Sequence, residues 1–349
     1  GSRPKIKETG MEYCGIDLHQ NETEICVLDD DGAVLERARI KTSRASFKRR
    51  FGGQSPMKVV LEAGGSSPWV SRLIDSLGHD VVVCAPRRVR LIAESTMKTD
   101  EIDAEVLARL VRVDEGFLGR VTHRSESAQL QRGLMTARTA LVSARSKWVH
   151  SASGLLRSFG FRVPGGSTSL FHTRCAKVER PDDLREVVQP LFNQIERVSE
   201  EIQALEKRLE SIASTNPVVQ HLQSVPGVGT IVSMYFIASI DDPDRFKRSR
   251  DVAAFFGLRP ILRGSGEVCH LGRISKEGDP EMRRLLIQAA HGMINSRKSC
   301  ALQLWALKLA DKKGKRKALV ALARKLAVLL HHLWVTGEVF RPFPHQQNA

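Results

Sequence analysis

The chain has 349 residues, enough for two or three domains, and its 42% hydrophobic content supports a sizeable core, which excludes wholesale disorder. Its 54 Lys and Arg against 39 Asp and Glu leave a net charge of +15, the imbalance of a protein that meets a polyanion, above all nucleic acid. Six scattered cysteines without a CxxC pair argue against a zinc ribbon and for reduced, buried thiols in a cytoplasmic protein.

Gly1-Ser2 looks like a cleavage remnant, and Met11 is an expected native start. The first third reads as α/β. Residues 13–18, 24–28 and 34–40 are β-prone runs, and Asp29-Asp30-Asp31-Gly32 between the last two is a tight-turn signal, which predicts an antiparallel three-strand meander. A buried strand at 59–62, a helix at 70–77, a strand at 80–84 and a helix at 99–113 follow, and that alternation predicts parallel pairing at this end. The expected order is βββαβαβα, that of the RNase H-like fold.

The middle of the chain is helical. Leu130, Leu134, Ala137, Leu141, Ala144, Trp148, Ser151 and Leu155 follow a 4-3 rhythm, as do Leu191, Ile195, Val198, Ile202, Leu205, Leu209 and Ile212. Each run spans about three heptads, the signature of a coiled-coil arm, paired either within one chain or between protomers. Residues 159–181, rich in Gly, Ser and Pro, read as loop. The last third is mainly helical. Ser224-Val225-Pro226-Gly227-Val228-Gly229-Thr230 lies between two apolar helical stretches and predicts a helix-hairpin-helix element. Gly227 and Gly229 permit the tight turn and expose backbone N–H groups that suit a phosphate. The expected division is thus 11–120, 121–215 and 216–349. The apolar stretch 318–335 is interrupted by Arg324, Lys325, His331 and His332, so no membrane span is expected there.

Four acids carry candidate chemistry. Asp17 ends the first strand in Gly15-Ile16-Asp17-Leu18-His19, and Glu62 ends the fourth in Leu61-Glu62-Ala63-Gly64-Gly65. Asp100 and Asp103 are spaced to share one helix face in Lys98-Thr99-Asp100-Glu101-Ile102-Asp103. Converging at the strand ends, these hard oxygen donors suit Mg²⁺, with Mn²⁺ as substitute, and two ions about 4 Å apart would clamp an in-line phosphoryl transfer. His19 is placed to touch a substrate, but reads first as a satisfied surface histidine outside the catalytic set. In the last third, Arg263-Gly264-Ser265-Gly266 places a serine between glycines, amid Arg263, Arg273, Lys276, Arg283 and Arg284, a dense field for phosphates. Ser265 and Ser275 are the competing nucleophiles for a covalent phosphoserine, and a plain loop serine is the alternative. The basic run at 308–317, including Lys313, Lys315 and Arg316, reads as a backbone-binding patch.

Taken together, Gly15–His19, Leu61–Gly65, Lys98–Asp103, Val225–Gly229, Phe255-Phe256-Gly257-Leu258-Arg259-Pro260 and Gly272-Arg273-Ile274-Ser275-Lys276 resemble the DEDD insertion-sequence transposases, the RNA-guided bridge recombinases whose relatives include pilin-gene invertases. The resemblance implies a RuvC-type domain with Asp17, Glu62, Asp100 and Asp103 at its four acidic positions. It also implies a transposase domain with Ser265 at the nucleophile position, above Ser275. It further implies that serine and acids act on one phosphate from different protomers, in dimers that assemble to tetramers. A structured guide RNA would pair with target and donor DNA, and the protein would work in the bacterial cytoplasm on the nucleoid. Two rivals stand beside this reading: a junction-resolving nuclease using water and the acids alone, and a non-catalytic nucleic-acid-binding scaffold.

Overall fold

The computed structural model describes residues 10–86, 88, 100–265 and 268–343, and leaves out the side chains of residues 100, 101, 262–265 and 268–271. The chain divides into two compact units, Gly1–His123 and Arg124–Ala349.

In the first unit β1 (Tyr13–Leu18), β2 (Glu22–Leu28) and β3 (Val34–Lys41) form the expected meander, Asp29 closing the β2–β3 turn by accepting from Ala33 N at 2.8 Å. Next come α1 (Arg44–Phe51), β4 (Lys58–Glu62), α2 (Ser67–Ser76), β5 (Asp80–Cys84) and α3 (Asp100–Val113). The five strands lie in the order β3-β2-β1-β4-β5, with β1, β4 and β5 parallel. Strand and helix thus follow the βββαβαβα order.

The helix α1 fills the place between β3 and β4 that the expected order holds for a helix without giving its bounds. Ser43 caps it, its hydroxyl accepting from Ser46 N, and Phe47 and Phe51, one turn apart, are its buried anchors. They pack with Ile16, Leu61 and Val70 on one face of the sheet, while Val60, Val82, Leu107 and Val111 fill the other, under α3. Strand alternation explains the split, since Val60 and Leu61 point to opposite faces.

The approach of α3 to the sheet is set at Gly15. A Cβ there would stand 1.9 Å from the Ala104 carbonyl oxygen and 2.6 Å from the Ala108 nitrogen, so β1 and α3 meet backbone to backbone.

The second unit opens with α4 (Glu126–Ser158) and α6 (Asp182–Ser214), each 33 residues long, with the short α5 (Phe171–Ala176) between them inside the segment expected as loop. Phe171 and Cys175 of α5 are buried against Leu156 and Phe192, which is why that segment is ordered into a helix. The long helices run antiparallel within one chain: Arg138 Nε donates to Glu206 at 2.8 Å and Arg145 to Ser199 at 3.4 Å. The buried stripe of α6 includes Ile195, Val198, Ile202 and Leu209, as its rhythm predicts, whereas Leu130 and Leu155 of α4 are exposed.

Then follow α7 (Pro217–Gln223), α8 (Thr230–Ile240), α9 (Ser249–Phe255), an antiparallel hairpin of β6 (Pro260–Ser265) and β7 (Val268–Ile274), α10 (Pro280–Ile294), α11 (Ala301–Lys313) and α12 (Lys315–Thr336). By length and composition α12 could cross a membrane. Here its Leu322, Leu326, Leu330 and Leu333 are core residues packed with Phe236, Phe256 and Leu286.

Replacing Gly15 by Ala forces apart two backbones that cannot yield as side chains do. We expect a loss of roughly 1–3 kcal/mol in urea unfolding, in the range of overpacked cores.

Candidate functional site

Register brings two of the acids together. Ile16 of β1 pairs with Leu61 of the parallel β4, so the next residues, Asp17 and Glu62, lie side by side at the carboxyl ends of adjacent strands. Ile16 and Leu61 face α1 and α2, so Asp17 and Glu62 face the opposite side, that of α3. Ala104, Leu107, Ala108 and Val111 of α3 are the residues buried against the sheet. Because Ala104 sits over Gly15, the first turn of α3, with Asp103 half-buried, starts beside the strand ends. Asp100 begins this helix, but its side chain lies outside the described residues, as do Lys98 and Thr99 altogether.

Among the described residues no group of three or more Asp, Glu, His or Cys side chains closes into a metal cage. What is present is a pair of neighbouring carboxylates at the carboxyl ends of two central strands and a third on the helix above the same face. Such hard oxygen donors with positions left open fit a divalent cation that must also take substrate oxygens.

His19, expected at the surface, is exposed and also contacts an acid. Its Nε2 stands 2.9 Å from Asp17 Oδ2, with its side chain half-exposed while that of Asp17 is 19% exposed. The signal was the Asp-Leu-His spacing, since alternate residues of an extended chain share a side. The turn after Glu62 is closed by Ser67, whose hydroxyl accepts from Gly64 N at 2.9 Å and donates to Gly64 O at 2.8 Å, and His123 Nε2 lies 3.0 Å from the same oxygen.

In the second unit the serine region is a β-hairpin and not the open loop its glycines suggested. Ser265 ends β6 and pairs with Val268, while Arg263 pairs with His270. Gly266 and the side chains of Arg263 and Ser265 lie outside the described residues. Ser275 is half-buried, with its amide donating to Arg259 O at 2.8 Å and its hydroxyl accepting from Glu277 N at 3.4 Å, a loop-closing role. Arg273 and Lys276 are exposed. Arg283 instead donates to the Phe256 and Glu277 carbonyls, tying the hairpin base to α10. Arg284 forms a two-point pair with Glu281, at 2.8 and 2.6 Å, which holds Glu281 below the usual carboxylate range.

The expected glycine turn lies between α7 and α8. Gly227 has φ +84°, and a Cβ there would stand 2.3 Å from the Ala289 oxygen of α10, so packing as well as turn geometry demands glycine. Gly229 precedes α8 with its Cβ position in open space and no side-chain cap on the helix. Both glycines are exposed. Lys313, Lys315 and Arg316 are exposed around the junction of α11 and α12.

A polar network pins the start of α10 to α4. Arg132 donates to Asp279 at 2.6 Å and to the Ser239 hydroxyl at 2.7 Å, and its guanidinium stacks 4.8 Å from the Tyr235 ring centroid. Asp279 also accepts from Glu281 N and Met282 N at the helix start. Burial alone would raise its pKa, but Arg132 and the two amides outweigh burial and hold it below the ordinary 3.8. Burial and the Asp279 charge push the Tyr235 hydroxyl up to about 12. Burial likewise pushes the Cys14 and Cys84 thiols up to about 12, so these are inert core residues.

Comparisons with known proteins agree over most of the chain. Residues 14–160 match the family model of DEDD transposases of IS110 type, described as "Transposase", and residues 219–306 match that of the IS116/IS110/IS902 transposase family. The transposase for insertion sequence element IS1111A of Coxiella burnetii is 29% identical over 95% of this chain and 92% of its own length. That for element IS1328 of Yersinia enterocolitica is 29% identical over 93% and 97%. A probable family 20 transposase of Pseudomonas aeruginosa is 28% identical over 95% and 99%.

Because the folded pKa of Asp279 is depressed, the stability it contributes is complete above the unfolded value and lost as pH falls through the folded one. Asp279→Ala removes a helix cap and leaves Arg132 without its carboxylate. We expect a loss of about 3 kcal/mol at pH 7 in urea unfolding, with the gap to wild type narrowing as pH falls below the ordinary aspartate range.

Proposed function

Because the chain belongs to the DEDD insertion-sequence transposases, and is thereby an enzyme of DNA transposition, we propose that it cuts and rejoins DNA with a carboxylate-held divalent cation and a serine nucleophile. The observation that carries this reading is the side-by-side placement of Asp17 and Glu62 at the ends of parallel strands, on the face over which α3 begins.

Asp17, Glu62, Asp100 and Asp103 hold Mg²⁺, or Mn²⁺ in its place. The bound cation supplies positive charge for the non-bridging oxygens of the scissile phosphate. His19 orients the Asp17 carboxylate through their contact. The Ser265 hydroxyl attacks phosphorus, loses its proton, and forms a phosphoserine ester as one DNA end leaves with a hydroxyl. A hydroxyl from the incoming strand then attacks that ester and restores the serine, so the bond is exchanged without net hydrolysis. The position of Ser265 at the tip of a β-hairpin supports this role, since a hairpin end can be presented to a strand of DNA.

The N–H groups at Gly227 and Gly229, within a helix-hairpin-helix element, together with Arg273, Lys276, Lys313, Lys315 and Arg316, contact phosphates. Arg263 joins them, while Arg283 and Arg284 act through the local fold they stabilise. A structured guide RNA sets the choice of target and donor. The protein works as dimers of a coiled-coil arm assembled to tetramers, in the cytoplasm at the nucleoid. The exposed Leu130 and Leu155 of α4 support protomer pairing along that arm. The working division is an acid domain at 11–120, an arm at 121–215 and a serine domain at 216–349.

The test is a covalent-adduct trap. The full chain is incubated with Mg²⁺, RNA from the flanking non-coding region and labelled element-junction DNA, then denatured. We expect a protein–DNA band that disappears in Ser265→Ala and falls by about a hundredfold or more in Asp17→Asn. Cleavage without a band in the wild type would instead mean that water is the nucleophile, as in a junction-resolving nuclease.

A further inference from the structure

The C-terminal unit holds a groove of about 1810 Å³ bounded by the end of β7, α11, α12 and the segment Glu338–Pro342. Its lining residues are of two kinds, half-buried apolar and exposed cationic. The floor is apolar: Ile274, Leu302, Trp305, Val320, Leu329 and Phe340 line it. The rim is cationic, with Arg273, Lys276, Lys313, Arg316, Lys317 and Arg324 against one acid, Glu338, among the described lining residues. Along α12 the two alternate: Lys317, Ala321, Arg324 and Val328 follow helical spacing on the groove side. The groove is preformed. Ala301 N donates to Pro342 O at 2.9 Å and Phe340 N to the Ser224 hydroxyl at 3.1 Å, which fasten the C-terminal wall. Lys325 lies 4.6 Å from the Trp305 ring centroid and covers one face of the indole.

A duplex does not match this surface. It offers phosphates outward and keeps its base faces stacked inside, so it would meet the rim and leave the apolar floor in water. An unpaired strand offers both chemistries at once, phosphates for the rim and base faces for the floor. We propose that this groove binds unpaired DNA, the strand released between cutting and rejoining. Arg273 lies in β7, the strand that pairs with the Ser265 strand, and Lys276 just follows it, so a DNA strand lying in the groove leads to the base of the hairpin. The proposal rests on the reading that the chain acts on DNA, and it does not depend on which group is the nucleophile.

The experiment is fluorescence anisotropy with the full chain, without divalent cation, using a labelled oligodeoxynucleotide of about 12 nucleotides, its blunt duplex and the RNA of the same sequence. We expect the single strand of DNA to bind about tenfold more tightly than the duplex. The double variant Lys317→Ala, Arg324→Ala should weaken single-strand binding by about tenfold, from lost phosphate contacts. Val328→Asp should weaken it similarly while leaving duplex affinity within about twofold, and Val328→Thr, the milder change, should fall between. Thermal unfolding of each variant shows that it is folded. Equal binding of duplex and single strand, or equal losses for both in the Val328 variants, would overturn the proposal. So would a tenfold preference for RNA, which would reassign the groove to RNA, or self-association that Val328→Asp abolishes without any change in DNA binding. Intact single-strand binding by a protein that forms no Ser265 adduct would sink the catalytic reading and leave this one standing.

Discussion

The placement of the acids depends on one contact between backbones. At Gly15 the strand β1 lies against the α3 backbone at Ala104 and Ala108, at a separation no side chain would permit. The contact fixes both the height of α3 over the sheet and the level along β1 at which its first turn begins. Two residues further on, Asp17 faces the same side, and the register with β4 puts Glu62 beside it. A residue with no side chain thus governs where charged side chains can meet, because it removes the one degree of freedom, helix height, that the apolar layer alone would leave loose.

The second unit is organised differently, by buried polar contacts. Arg132, Tyr235, Ser239 and Asp279 join α4, α8 and the start of α10, and Arg283 carries that constraint to the base of the hairpin. Such a network gives little net stability compared with apolar packing, but breaking one member leaves a charge without its partner. Its effect is directional. It holds the hairpin base against a helix of the long arm, whereas an apolar contact of equal area would tolerate sliding. The basic groove between hairpin and C-terminal helices inherits that rigidity on one side and the Ala301 and Phe340 tethers on the other.

Much of the first unit was legible in the sequence because its signals are local. Strand β5 carries a continuous apolar run after Asp80 and β1 a mostly apolar one broken by Asp17, and their bounds are those expected. The placement of Asp17 and Glu62 at strand ends was legible, because alternation and order reveal it. The bounds of α1 were not legible: Phe47 and Phe51 are its sole buried side chains amid basic residues, too few to mark an amphipathic period. The β6–β7 hairpin was hidden because glycine and serine in its first strand mimic loop composition. Charge counting also misled in detail. Arg283 and Arg284 look in sequence like phosphate hooks, yet the fold gives each of them partners, which only three-dimensional proximity decides.

The claim on which the rest stands is that the strand-end acids hold a divalent cation, and its most direct test is a calorimetric titration of Mn²⁺ into the full chain. The account predicts saturable binding that Asp17→Asn, Glu62→Gln and Asp103→Asn each weaken by about tenfold or more, with unfolding transitions close to that of the wild type. Binding that all three variants leave unchanged would contradict it, and would place the cation away from these strand ends.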